Sequence, residues 1–401
     1  MQLLLLLLFS VPMSISSQHG RQAEDDSLSK ASMQFAITVF KLVSSKTAKA
    51  PANIFICPPS IYTSTALLAL GARSSTRQQI LDAMFLNSTQ TDKTLKDDFK
   101  NFLAKIRLEK EGAEFRLSNW LFLDNSKTPQ IQYQQDLAKY YNATVQSVDF
   151  KDPEKAAQSI NEQVSCRTDG KIEDLVGDLD RRTVMVLLDY ASFEAKWENP
   201  FSFQGTKRRS FQVNQIKSPQ VPMMHRVGQY RTFKDKALGC VMVEVPYNEH
   251  LVLLLIMPNK GYFDLLQVKL SPKLLEYYIS EARTSLLDLY IPEITIEQQI
   301  NVRFALLHMG ITQAFSDTAD FSRISEKPGL KVSTMYQRTL IKIAENGTES
   351  SGAHVIQGIT LPKDFELTFD RPFFALIYCK RMKTVLLLGR VMDPSLESSL
   401  H

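Results

Sequence analysis

ENGTESSGAHVIQGITLPKDFELTFDRPF, running from Glu345 to Phe373, is the stretch around which the chain is organised. Its first half is small and polar (Gly347, Thr348, Ser350, Ser351, Gly352, Ala353) and offers little apolar surface for a core. A β-branched strand pattern, Leu340–Ile343, precedes it, and an apolar run, Phe373–Tyr378, follows. A long soft segment held between two strong strands is a place where function collects.

On either side of that loop the periodicity is mixed. Apolar residues recur at helical spacing over Ala31–Val43 and over Asp97–Arg107, where Phe99, Phe102, Leu103 and Ile106 share a face. Pro58-Pro59 opens a helix over Ser60–Leu70 that Gly71 stops, and Ser75–Met84 reads as another. Strand patterns occupy Glu114–Leu123, Val184–Phe193, Cys240–Pro246, Leu251–Met257, Leu286–Ile291, Leu340–Ile343, Phe373–Tyr378 and Val385–Val391. The continuous apolar run Val252–Ile256 predicts a strand covered on both faces. Helices gather in the first half and strands in the second, with no repeat and no dividing linker, so the expected class is α+β in one domain.

Residues 1–17 open with six leucines (Leu3–Leu8) and end in small residues, too short an apolar stretch to cross a bilayer, and read as a signal peptide cleaved after Ser16 or Ser17. Residues 18–31 are expected as a flexible mature N-terminus and 32–401 as the domain itself. The chain is therefore expected to be secreted. Asn87, Asn142 and Asn346 begin glycosylation sequons, which fits that route. Four cysteines (Cys57, Cys166, Cys240, Cys379) form no CxxC pair, and a chain of 401 residues buries enough surface to fold without disulfides. The net charge of +4 is mild, so nucleic acid and membrane are not expected partners, and a monomer is expected.

Catalytic chemistry is missing. There is no GxSxG elbow, no HExxH, no phosphate-binding glycine loop, and the six histidines fall in no triad context. No metal or other cofactor is expected, and the chain does not read as an enzyme.

Ordered segments carry a resemblance across Ser32–Ser395. They are NIFICPPSIYTSTALLALGARSSTRQQI (Asn53–Ile80), INEQVSCRTDGKIEDLV (Ile160–Val176), KWENPF (Lys196–Phe201), VPMMHR (Val221–Arg226), LYIPEITI (Leu289–Ile296), MGITQAFSDTADFS (Met309–Ser322), GTESSGA with FDRPF, and LLGRVMDP (Leu387–Pro394). Together they resemble the serpins, in particular the secreted antitrypsin-like branch that also includes hormone carriers. The resemblance implies three β-sheets, about eight or nine helices, and an exposed reactive-centre loop over about 345–368.

In inhibitory serpins that loop is bait. A serine protease cuts it, and its front half inserts into the main sheet and drags the acylated enzyme along, a case of strand addition with release of stored strain. The resemblance assigns the hinge to Glu345, Gly347, Thr348, Glu349, Ser350, Ser351, Gly352, Ala353 and His354. Thr348, Ser350, Gly352 and His354 would turn inward, and an unpartnered His354 would then cost on the order of 1–3 kcal/mol. The aligned scissile bond is Leu361–Pro362. Leu361 suits an apolar chymotrypsin-like or elastase-like pocket, whereas Pro362 hinders attack. Where the family usually has serine, asparagine and histidine at the sheet opening, this chain has Cys57, Asp189 and Gln337, with Ser60 retained.

Two functions follow as expectations. One is inhibition of an extracellular serine protease; the other is a non-inhibitory role as a carrier of a small apolar ligand, a chaperone or a receptor ligand. Some relatives bind heparin through the helix that carries Lys100, Lys105, Arg107 and Lys110. Here Asp97, Asp98, Glu109 and Glu111 dilute that charge, and with Lys207-Arg208-Arg209 it reads as a solvated face.

Overall fold

The computed structural model describes residues 15–46, 52–87, 91–106, 113–177, 179–347 and 365–396. Its first half runs α1 (Ile15–Lys46), β1 (Ile54–Ile56), α2 (Pro58–Gly71), α3 (Ser74–Ala83), α4 (Asp92–Ile106), β2 (Ala113–Asp124), α5 (Ile131–Asp136), β3 (Ala143–Val148) and α6 (Pro153–Arg167). The middle comprises β4 (Met185–Ala195), β5 (Lys207–Ser210), β6 (Gln220–Asp235), β7 (Cys240–Pro246), β8 (Leu251–Pro258), α7 (Phe263–Lys269) and α8 (Pro272–Glu281). The last part holds β9 (Arg283–Pro292), β10 (Ile294–Asn301), α9 (Arg303–His308), β11 (Thr334–Ile343), β12 (Glu366–Thr368), β13 (Phe373–Cys379) and β14 (Thr384–Val391).

The strands form two hydrogen-bonded networks. One has the order β10-β11-β4-β2-β3; the other runs β1-β14-β13-β8-β7-β6-β9-β12, with β5 also on β6. The three sheets expected become two networks because β6 belongs to two layers. Its residues Met223–Thr232 pair with β9, while Arg231–Asp235 pair with β7 and lead the ladder into β8, β13 and β14. A strand of 16 residues is long enough to serve both.

Helix α2 is buried along its whole length and packs against β2 and β4 of one sheet and β14 of the other. A helix with no solvent face belongs in the interior. Pro58 and Pro59 fix its first turn, where their missing N–H groups would have had no partner. Its hydroxyls stay satisfied inside: Thr63 and Thr65 donate to the carbonyls of Pro59 and Ile61, each at 2.7 Å.

Helix α1 differs from the expectation. It begins at Ile15 and takes in the stretch 18–31 that reads as flexible. Its buried face already includes Leu28 and Ala31, ahead of Met33, Phe35, Phe40 and Val43, so the apolar contact starts earlier than the periodicity indicates. Val252–Ile256 in β8 are all buried, as a strand covered on both faces requires.

Candidate functional site

The five-stranded sheet has a seam between β4 and β11. These two strands run parallel, with Thr334–Leu340 opposite Val186–Ser192. Strand β11 then leads directly to the polar loop. A chain that turns back after β11 runs antiparallel to it, and therefore antiparallel to β4 as well, so the seam is a slot whose two sides would both pair antiparallel with a strand entering from that end.

One row of side chains beneath the seam is polar. Asn119 of β2 lies opposite Asp189 of β4, and Asp189 lies opposite Gln337 of β11. All three are buried and turned toward α2. Asn119 Nδ2 donates to Asp189 Oδ1 (2.7 Å) and Ser64 Oγ (2.8 Å), with Ser60 Oγ at 3.3 Å. Ser64 Oγ also donates to Asp189 Oδ1. Gln337 grips the main chain at the start of α2: its Oε1 accepts from Cys57 N (2.9 Å) and its Nε2 donates to Cys57 O (2.7 Å).

The network thus divides along the seam. Asp189 is tied to β2 and α2, Gln337 to the first turn of α2, and among the described residues neither side chain bonds across to the other. Among the described residues, the paired stretches Val186–Ser192 and Thr334–Leu340 are joined by main-chain bonds, each worth roughly 1 kcal/mol net, and just before them Val184 N donates to Ser333 Oγ at 3.0 Å. Asp189 Oδ2 finds no hydrogen-bond partner among the described residues. Burial pushes the Asp189 carboxyl up to about 7, although Ser64 and Asn119 pull it down, so near neutrality the group keeps much of its proton.

The hinge sits at the mouth of the slot. Gly347 pairs in antiparallel fashion with Lys196, just past β4, and with Ala344, just past β11. Ala344 and Gly347 exchange both main-chain bonds, at 3.1 and 3.0 Å. Gly347 has φ +107, and a Cβ there would stand 2.1 Å from Ala195 O, so only glycine fits. Trp197 Nε1 donates to Ala344 O (2.7 Å), Phe201 N to Glu345 O (2.8 Å), and Thr206 Oγ1 to Glu345 Oε1 (2.6 Å). Glu345 is only 4% exposed.

The far end of the loop is held by the other sheet. Strand β12 pairs in parallel with β9, and Glu366 Oε1 accepts from Arg209 Nη1 at 2.7 Å. The Arg209 guanidinium also lies 3.4 Å over the Tyr290 ring. The two ends of the loop are therefore fixed to different sheets.

Of the residues singled out from the sequence, the structure brings Cys57, Ser60, Asp189 and Gln337 into one buried cluster and sets Glu345 and Gly347 at the slot's mouth. Thr348, Glu349, Ser350, Ser351, Gly352, Ala353, His354, Leu361 and Pro362 lie outside the described residues, as do Arg107 and Lys110. Asn87 and Asn142 are exposed and Asn346 is half-buried. Lys100 and Lys105 are exposed on α4, whereas Arg209 is engaged by Glu366 and Tyr290. No two cysteines are paired.

Sequence reasoning missed Ser64, Asn119, Trp197 and Thr206, and also Glu293, whose carboxyl meets that of Glu345 at the hinge. Two left a trace: Ser60 and Ser64 stand one helical turn apart, and Asn119 interrupts the alternation Phe115, Leu117, Leu121, Leu123 that marks the buried face of β2.

The comparisons agree with this geometry. The family model described as Serpin (serine protease inhibitor) matches residues 30–394. Serine protease inhibitor A6 of Xenopus laevis is 31% identical, over 95% of this chain and 87% of its own length. Alpha-1-antiproteinase 2 of Equus caballus is also 31% identical, over 94% of this chain and 90% of its own. The crystal structure of human thyroxine-binding globulin complexed with thyroxine superposes with a TM-score of 0.87 at 30% identity, covering 93% of this chain and 100% of that one. The family holds protease inhibitors and carriers alike, and this chain belongs to it: it is a serpin.

Proposed function

We propose that this serpin is an exported glycoprotein whose loop is bait for an extracellular serine protease with an apolar primary pocket, chymotrypsin-like or elastase-like. The carrying observation is the position of Gly347, already paired antiparallel with Lys196 beside β4 and with Ala344 beside β11. The first residue of the inserting strand is in its slot before any cut is made.

The register of that pairing supports the reading. Each step forward in the loop is one step back along β4, so Gly347 opposite Lys196 brings Leu361 opposite Arg182, three residues beyond the start of β4 at Met185. When the protease serine attacks the Leu361 carbonyl, the bond to Pro362 breaks, the proton passes to the proline nitrogen, and Leu361 remains esterified to the enzyme. Full insertion then carries that ester past the far end of the strand. The arm from Thr348 to Leu361 extends about 45 Å at ~3.3 Å per residue. A cut at Gly358–Ile359 would instead leave the ester level with Met185, at the strand's end, which favours escape of the enzyme.

Pro362 supports a second reading, in which cleavage is followed by insertion but not by trapping, and the chain carries a small apolar ligand that insertion releases. The similarity to thyroxine-binding globulin complexed with thyroxine supports the same reading.

The test is incubation with chymotrypsin and neutrophil-type elastase, followed by denaturing gels and a thermal melt. A covalent band with Leu361 at the ester establishes trapping. A cut chain with a raised melting temperature and no such band establishes the second reading, and a cut chain with an unchanged melt defeats both.

A further inference from the structure

A cavity of about 310 Å³ opens where β4 and β11 begin, at the end of the five-stranded sheet opposite the hinge. Its lining comes from separate chain segments. Thr183 leads into β4, Lys331, Ser333 and Thr334 lie at the entry to β11, Arg303 opens α9, and Phe315 forms an apolar wall. Three of the lining residues are cationic, Arg182, Arg303 and Lys331, against one acid, Asp180. Arg182 holds Asp180 at 2.9 Å, and Lys331 holds Asp317 at 2.6 Å. Arg303 has no carboxylate within ion-pair distance among the described residues, and its guanidinium lies 5.4 Å over the Phe315 ring. The hydroxyls are poised in the same sense. Ser333 Oγ accepts from Val184 N at 3.0 Å and Thr334 Oγ1 from Asn301 Nδ2 at 3.1 Å, so each has an acceptor site engaged and its own proton still to give. Thr183 is only 6% exposed, and its hydroxyl has no hydrogen bond among the described residues.

We infer that this cavity binds a tetrahedral oxyanion, phosphate or sulfate, held by Arg303 with Lys331 beside it and met by the hydroxyls of Thr183, Ser333 and Thr334. The oxyanion arrives free or as the head of a small ester whose apolar part lies along Phe315. The site is remote from the hinge and depends on neither the loop nor a cut.

The free valences around the cavity are those of donors, which selects an anion. Asp180, the one lining acid, has its oxygens occupied: Oδ1 accepts from Arg182 N (2.8 Å) and Nε (3.2 Å), and Oδ2 from Arg182 Nη2 (2.9 Å). The donors stand on three segments and not on a single fork, which suits oxygens spread over a tetrahedron better than the two of a planar carboxylate. Arg303 can offer its planar fork to two of those oxygens while the Phe315 ring supports its face. Lys331 is free to turn toward the ligand, because Asp317 is 91% exposed and an ion pair of that kind is worth little. A buried hydroxyl without a partner is costly, and an oxyanion in the cavity relieves Thr183 of that cost. The size sets the limit: about 310 Å³ admits the head group and one ring. An ion bound there joins the entry of β4 to the entry of β11, alongside the bond from Val184 N to Ser333 Oγ.

The experiment titrates the intact, uncut protein with sodium phosphate, sodium sulfate and phenyl phosphate, against sodium chloride at matched ionic strength, by calorimetry and thermal melt. The inference expects saturable binding at one site, a raised melting temperature, and slower hydrogen exchange confined to residues 183–185 and 331–335. Arg303→Met should weaken binding about tenfold and Thr183→Val by a smaller factor, whereas Lys236→Met, an exposed cation far from the cavity, should change nothing. Arg303 is itself exposed, so its replacement leaves the fold intact and keeps the comparison readable even where Thr183→Val disturbs packing. Tighter binding of phenyl phosphate than of inorganic phosphate supports the site and identifies the ester as its ligand; equal binding supports the site and identifies the free anion. Absence of saturable binding above the chloride baseline overturns the inference, and so does binding that survives Arg303→Met unchanged or protects a different part of the chain.

Discussion

Glu293, between β9 and β10, and Glu345, at the exit of β11, meet as two carboxyl groups sharing a hydrogen bond at the mouth of the slot. Burial first, then the charge of Glu345 and the shared bond, push Glu293 up to about 7, against the pull of Lys342. When Glu293 gives up its proton, its negative charge stands beside that of Glu345 against the hinge. Since the folded value lies above the unfolded value of 4.5, the contribution is fully present below that value and is lost as pH rises through about 7. The hinge is therefore held more firmly at pH 5.5 than at pH 8. Hydrogen exchange at Gly347 should speed up across that interval in the native chain by more than the intrinsic rise in exchange rate, and follow the intrinsic rise alone in Glu293→Gln.

Gly347 is expected to tolerate no side chain. At φ +107, backbone strain alone costs on the order of 1–3 kcal/mol for alanine, and the Cβ would meet Ala195 O at 2.1 Å. Gly347→Ala should lower the melting temperature of the uncut protein and release the loop from Lys196, visible as faster cutting in the loop by a protease at limiting dose. An unchanged melt and cutting rate would remove the claim that the hinge is already seated.

Asp189→Asn is expected to stabilise the closed sheet at alkaline pH. The buried carboxyl has its value raised from 3.8 to about 7, so its protonated form contributes stability that is lost as pH climbs through that range and is gone at pH 8. Asparagine keeps a neutral group that can meet Ser64 and Asn119, and the uncut variant should gain roughly 2–4 kcal/mol at pH 8 and little at pH 4. Denaturant titrations at the two pH values decide it, because a gain of equal size at both would mean the carboxyl is not the source.

The strands that proved legible were those whose burial leaves a pattern. Cys240–Pro246 was read end to end, and the run in β8 was read as doubly covered. Strand β10, Ile-Thr-Ile-Glu-Gln-Gln-Ile-Asn, does not read as a strand, because five of its eight residues are polar and at least partly exposed beside β11. Strand β12 has only three residues, and its identity rests on its partner β9. The cluster under the seam was half visible. Resemblance pointed to Cys57, Ser60, Asp189 and Gln337, whereas Asn119 and Ser64 are joined to them by contacts spanning 70 and 125 residues, which no local pattern encodes. Glu293 had no local signal at all, since its partner is set by the meeting of two chain segments at the hinge.

The four thiols should separate cleanly by reactivity. Cys166 is exposed on α6, whereas Cys57, Cys240 and Cys379 are buried, and burial pushes the thiols of Cys57 and Cys240 up and away from the reactive thiolate. A maleimide should label one cysteine quickly in the native protein and all four after denaturation. Rapid labelling at Cys57 would mean that the seam opens far more readily than its packing allows.

Glycan placement tests the hinge from another direction. Asn142 sits exposed at the end of a helical turn with φ +52, and Asn87 is exposed after α3, so a sugar on either meets solvent. Asn346 is half-buried, and its carbonyl accepts from Trp197 N at 3.4 Å in the turn that seats Gly347. A sugar there would have to be accommodated within the hinge packing. In protein secreted from animal cells, Asn87→Gln and Asn142→Gln should each remove one step of mass, and Asn346→Gln none. If Asn346 carries a sugar in folded, secreted protein, the turn is looser than its hydrogen bonds indicate, and the hinge then enters the slot only after the loop is cut.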